Sequence, residues 1–148
     1  MSVPSVGVEE EFLLVDPLTG EPVPRNADVA RYAGERGVDL QLELTTCQVE
    51  TATDKADTSS QLREQITRLR RLAADASSAA GATLLAVGLP PTVPHRFPIT
   101  DTPRYHQIAE RFGMIAHEQG ICGCHVHVEV PDRDAAIAVS NRLRPWLP

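Results

Sequence analysis

Two histidines and a glutamate alternate with valines in ICGCHVHVEV, residues 121–130. In an extended chain successive side chains point to opposite faces. His125, His127 and Glu129 then share one face, roughly 6.6 Å apart along the strand, and Cys124, Val126, Val128 and Val130 share the other. Two further strand-like runs carry acids in the same way. SVGVEEEFLLV (5–15) sets Gly7, Glu9, Glu11 and Leu13 opposite Val6, Val8, Phe12 and Leu14. VDLQLELTT (38–46) sets Gln41, Glu43 and Thr45 opposite Leu40, Leu42 and Leu44, and the run continues through Gln48 and Glu50. If the three runs lie in one sheet with their apolar faces on helices, the polar faces converge. Gathered carboxylates repel, and some stay protonated unless a cation neutralises them. Hard oxygen donors select Mg²⁺, Mn²⁺ or Ca²⁺, and Mg²⁺ is commonly shared with a substrate phosphate.

Each pattern also fits an ordinary solvated strand face, and Glu10 falls among apolar neighbours. Histidine is a common metal ligand, so H-x-H carries more information than E-x-E. Cys122 and Cys124 extend the row to C-x-C-H-x-H. Alternation turns both cysteines towards the valine face, and their spacing is not that of a zinc finger. We therefore expect Cys122 and Cys124 to be buried, reduced and free of zinc.

The elements that would position these residues can be read in outline. Asp16, Pro17 and Gly20 mark a turn, with a hairpin return over 18–25 and a short helix over 27–36 ending at Gly37. Leu62, Ile66, Leu69, Ala73, Ala76 and Ala80 step at helical spacing, with Thr58 and Gln61 as a capping box and Gly81 as the stop. Arg63, Arg68, Arg70 and Arg71 are expected on that helix's wet face. ATLLAVGL (82–89) reads as a buried strand, and five of the 12 prolines between 90 and 103 mark a loop. Pro103 suits the first turn of a helix with Tyr105, Ile108, Phe112 and Ile115 on one face, closed by Gly120. A last helix spans 132–143. The order β(β)αβαβαβα indicates an α+β or mixed α/β protein.

The bulk numbers narrow the function classes. At 148 residues the chain is the size of one domain, and a net charge of −6 argues against nucleic-acid or anionic-membrane partners. No run is long and apolar enough for a membrane span. Residues 1–15 lack a basic n-region, so no signal peptide is expected, and three cysteines read as reduced thiols of a cytoplasmic protein. P-loop, Rossmann and G-x-S-x-G signatures are absent from the sequence.

Four segments in register, GVEEEFLLVDPLTG, QLELTTCQVETAT, TDTPRYHQIAERFG and GCHVHVEV, together resemble the carboxylate–amine ligases of the glutamate–cysteine ligase type 2 family. The resemblance covers nearly the whole chain, and RLRPWLP resembles the helix that follows the family's histidine strand. It implies a glutamine-synthetase-like fold: a curved, mostly antiparallel sheet with helices on its outer face. It implies ATP with Mg²⁺ or Mn²⁺, and glutamate joined to cysteine or another amine through an acyl phosphate. Matched position by position, Glu9, Glu11, Glu43, Glu50 and His125 are metal ligands, with His127 a further match. Arg104 and Tyr105 fall in a loop motif that contacts substrate. Glu129 stands where the family favours a small residue. The family's later arginine- and acid-bearing strands have no counterpart, so residues 1–148 are expected to be the N-terminal part of one catalytic domain. Inactivity alone and self-association are expected, with Trp146 and Leu147 exposed. Two other readings remain at this point: a zinc-dependent hydrolase or cupin-like protein built on His125, His127 and one glutamate, and a non-catalytic remnant that binds a partner.

Overall fold

The computed structural model describes residues 3–147. Its centre is β1 (Val6–Val15), which pairs antiparallel along one edge with β3 (Gln48–Ala52) and along the other with both β4 (Thr83–Leu85) and β5 (Cys124–Val128). The short β2 (Gln41–Leu42) extends the sheet beyond β3, giving an all-antiparallel α+β arrangement. The helices are α1 (Asn26–Gly34), α2 (Ser59–Ala79), α3 (Pro103–Phe112), α4 (Met114–His117) and α5 (Arg133–Leu143), followed by a 3₁₀ turn over Arg144–Trp146.

Alternation along β1 decides the layers. Phe12 and Leu14 point to α1 and α2 and bury with Val29, Ala33, Val49, Ala73 and Ala76. Leu13 and Val15 point the other way and form a smaller core with Cys47, Phe97 and Cys122. The α2 helix begins with the expected capping box, in which Thr58 and Gln61 satisfy each other's backbone N–H groups. It ends before Gly81 at φ +74°, a left-handed position that favours glycine. Thr102 caps α3 and Pro103 occupies its first turn, as the sequence indicates.

Several expectations are corrected. The run over 38–50 is a hairpin, β2 and β3, because the chain reverses at Thr45–Cys47. There Gln48 N donates to the Thr45 carbonyl and the Thr45 hydroxyl donates to the Gln48 side chain. The return over 18–25 contributes one bridge, Val15 to Pro22, and no strand. ATLLAVGL supplies only three strand residues, none fully buried. The helix after Pro103 breaks at Gly113 (φ +56°), leaving Phe112 and Ile115 exposed. While α1 and α2 cover the outer face, α3 and α4 flank a cleft on the acid-bearing side.

Cys124 is exposed, contrary to expectation, because among the described residues no helix covers the outer face of β5, where Val126 and Val128 are exposed as well. Cys122 is buried as expected, but in the inner core with Leu13 and Val15. It precedes β5, so strand alternation does not govern it. Trp146 and Leu147 are exposed, as expected.

Candidate functional site

The acids gather on the face of β1 away from α1 and α2. Register places Glu9 opposite His125 on one side and Ala52 on the other, and Glu11 opposite Glu50. Gln41 pairs with Glu50, so Glu43, two residues on, belongs to the same side. Glu50 lies seven positions after Glu43, an odd offset that in an unbroken strand would put them on opposite faces. The turn at Thr45–Cys47 brings them together.

Glu9 Oε2 lies 3.0 Å from His127 Nε2 and 3.3 Å from His125 Nδ1. The hydrogen bond to His127 is the main cause holding the Glu9 carboxyl below its usual range. Gly123 N–H donates to Glu11 Oε2 at 2.8 Å, while Glu11 N–H donates to the Gly123 carbonyl. A side chain on Gly123 would begin 3.1 Å from His125 Nε2, so glycine admits this close approach. Reading the sequence for titratable groups misses Gly123. The signal available was a glycine just before the histidine strand.

Burial and, after it, mutual repulsion raise the proton affinity of two of the acids. Burial raises Glu43 to about 7, and the carboxylates of Glu11 and Glu50 add to the shift. Burial likewise raises Glu50, with Glu9 and Glu11 adding to it. Among the described residues, two overlapping sets bring ligand atoms within 4.8 Å of one another: Glu9, His125 and His127, and Glu11, Glu50 and His125. Carboxylates with one or two imidazoles suit Mg²⁺ or Mn²⁺ when acids predominate. Cys124, opposite Glu10, lies on the reverse face and cannot join either set.

Glu10 is resolved differently. It faces α2, where Arg70 meets it with two hydrogen bonds, one of them Nε to Oε2 at 2.9 Å. Arg70 is thus not simply part of a wet helix face. Arg104 and Tyr105 sit in the first turn of α3, not in a loop. The Tyr105 hydroxyl donates to the Leu42 carbonyl at 2.8 Å, bracing β2, and Arg104 is exposed with its charge acting on Glu43. Glu129 turns away from the histidines to Lys55 and Ser5.

Helices α1 and α2 cover one face of the sheet, and the clustered acids and histidines on the other form a candidate metal centre. Comparison with known proteins gives the family: the sequence model of glutamate–cysteine ligase family 2 matches residues 5–148, and the chain belongs to that family. It is 73% identical over 144 residues to "Putative glutamate--cysteine ligase 2-3" of Mycolicibacterium smegmatis, covering 97% of this chain and 40% of that protein. A relative from Nocardia farcinica, "Putative glutamate--cysteine ligase 2-1", is 64% identical over 148 residues, covering all of this chain and 39% of its own length. The chain therefore spans about 40% of these relatives.

The fold is like that of glutamate–cysteine ligase from Francisella tularensis, solved in complex with AMP (TM-score 0.59, 14% identity, 98% of this chain and 30% of that one). It is also like that of a bifunctional glutathione synthetase from Pasteurella multocida (TM-score 0.61, 16% identity, 95% and 18%). Among the described residues no helix is long and apolar enough to cross a membrane.

Proposed function

We propose that this chain carries the metal-binding part of the active site of an ATP-dependent carboxylate–amine ligase working in the cytoplasm, with glutamate as the acid and cysteine or another amine as the acceptor. The observation that carries the reading is the convergence of Glu9, Glu11, Glu43, Glu50, His125 and His127 on one sheet face, in a member of this family. Mg²⁺ or Mn²⁺ would be held by these six residues and would neutralise charge on the transferring phosphate.

In the proposed reaction the substrate carboxylate attacks the γ-phosphorus and ADP leaves, giving an acyl phosphate. The amine then attacks the acyl carbon, phosphate departs, and the amine proton passes to solvent or a base. This chain's residues prepare the site for that chemistry. His127 keeps Glu9 ionised, Gly123 N–H fixes the Glu11 carboxylate, and Arg104 stands beside Glu43, where it would meet substrate. Tyr105 supports that edge through Leu42.

A zinc reading has one specific observation in its favour, the grouping of Glu9 with two histidines. It leaves Glu11, Glu43 and Glu50 without a role. The test is ATP-dependent phosphate release with glutamate and cysteine, for residues 1–148 and for a chain extended with the remaining segment of a relative. The proposal expects Mg²⁺- or Mn²⁺-dependent release from the extended chain and none from the shorter one. Hydrolysis supported by zinc alone would replace it.

A further inference from the structure

The helix layer on the outer face of the sheet has a gap. Helix α2 packs across β1, β3 and β4, and among the described residues no helix lies along β5. Cys124, Val126 and Val128 therefore face outward uncovered, the two valines at 63% and 53% exposure. An apolar strand face is ordinarily buried under a helix or a second sheet.

A helix without a partner stands in the same chain. No residue of α5 is buried, and α5 packs on the 3₁₀ turn that follows it, not along the sheet. Ala136, Val139 and Leu143 recur at helical spacing, and the stripe runs on into Trp146 and Leu147. The last four of these are exposed, Trp146 at 83%. The connection from β5 is braced at both ends. Glu129 N–H donates to the Ser5 carbonyl at 2.9 Å, and the Glu129 carboxylate is held by Ser5 and Lys55. Three residues later Asp132 caps α5 by accepting from Ala135 N–H at 2.8 Å. Between them Pro131 has a fixed φ and restricts Val130. So short and stiff a connection holds α5 clear of the strand it follows.

We propose that α5 of a second copy covers the outer face of β5, each of two copies giving its helix and receiving the other's about a twofold axis. Both halves of the contact are present on every chain and neither is satisfied within one, which suits an isologous dimer. At their exposures Val126, Val128 and the α5 stripe present roughly 700 Å² per copy, close to the share one partner gives to a standard-size interface. Apolar patches of that extent mark interaction surfaces. The partner's helix would lie beside α2 and continue the layer that α1 and α2 begin. This surface is on the face opposite the acids, so the dimer needs no metal and stands apart from the ligase reading.

The experiment is sedimentation equilibrium of the 148-residue chain over a concentration series, with the alkylation rate of Cys124 followed alongside. It compares wild type, Val126→Lys, Leu143→Asp and an equimolar mixture of the two variants. Cys47 and Cys122 are buried, so alkylation reports on Cys124. Both substitutions fall at exposed positions, so circular dichroism and unfolding temperature of the monomers should match wild type. Wild type should reach the mass of a dimer, with Cys124 alkylation slowing as it does so. Each variant alone should dimerise about tenfold or more weakly, because a charge is then buried against apolar side chains. The mixture should recover association, since one native helix–strand contact is restored and the other brings opposite charges together. A monomer at every concentration overturns the proposal. A dimer that both substitutions leave intact also overturns it and points to pairing along the free edge of β5. Weakened variants whose mixture recovers nothing overturn it as well, because like surfaces would then be meeting. Protection of Cys124 only in a monomer extended with the remaining segment of a relative would give the face to that segment instead.

Discussion

Glu10 and Glu11 are adjacent on one strand, yet the protein treats them in opposite ways. Glu10 turns to the helix face, where Arg70 supplies a fixed partner with two hydrogen bonds. Glu11 turns to the other face, among Glu43 and Glu50, where its firmest contact is one backbone N–H from Gly123. On the helix side a charge is neutralised from within the fold. On the acid side, beyond the effect of burial, Glu11 and Glu50 raise the proton affinity of Glu43, and Glu9 and Glu11 raise that of Glu50. Under the proposed function a cation from outside would neutralise them. The helix face of β1 carries the larger core, and the acid face gathers like charges at a cost to stability.

Substitutions on the two faces should separate sharply. Phe12→Ala on the helix side empties a site that is 1% exposed and should cost about 3–5 kcal/mol in urea unfolding. Arg70→Met leaves Glu10 largely buried without its partner. Removing one member of a buried pair costs about 3–5 kcal/mol, and water around the outer half of Arg70 should bring this to roughly 2 kcal/mol. A loss as small in Phe12→Ala as in acid-face variants would erase the comparison.

On the acid face the sign reverses. Glu43 is raised to about 7 from an ordinary 4.5, so between those values the folded chain holds a proton that the unfolded chain has released. Stability of the metal-free protein should therefore fall as pH rises through that window. Glu9, held low by His127, acts in the opposite sense, but its histidine partners are exposed and water screens the contacts, so it contributes little. Glu43→Gln should flatten the pH dependence and raise stability at pH 8, which equilibrium unfolding at a series of pH values would check. Smallest of all is Gly123→Ala. Its new methyl would press on His125, shifting that ring's NMR signals with a stability change within about 0.5 kcal/mol.

Much of this division could be read in the sequence, because the alternation in GVEEEFLLV already assigns each acid of β1 to a face. The Thr58–Gln61 cap and Pro103 mark helix starts through local chemistry that needs no tertiary context. Features that depend on distant packing could not be read in this way. Arg70 looks like any exposed helical arginine until α2 lies across β1, sixty residues away. The reversal at Thr45–Cys47 is hidden because leucines and polar residues keep alternating up to it, and Glu43 meets Glu50 only because the chain turns there. Cys124 shows the converse limit: alternation gives its face correctly, but whether that face is covered depends on a packed helix, and among the described residues β5 has none there.

The central claim is that the acid face is a cation site while the neighbouring acid on the helix face is not. Titration of the metal-free chain with Mn²⁺, followed by electron paramagnetic resonance of the free ion, tests it most directly in wild type, Glu11→Gln and Glu10→Gln. We predict saturable binding in wild type, at least tenfold weaker binding in Glu11→Gln, and binding close to wild type in Glu10→Gln wherever that variant remains folded by circular dichroism. Equal Mn²⁺ affinity in wild type and Glu11→Gln would contradict the account.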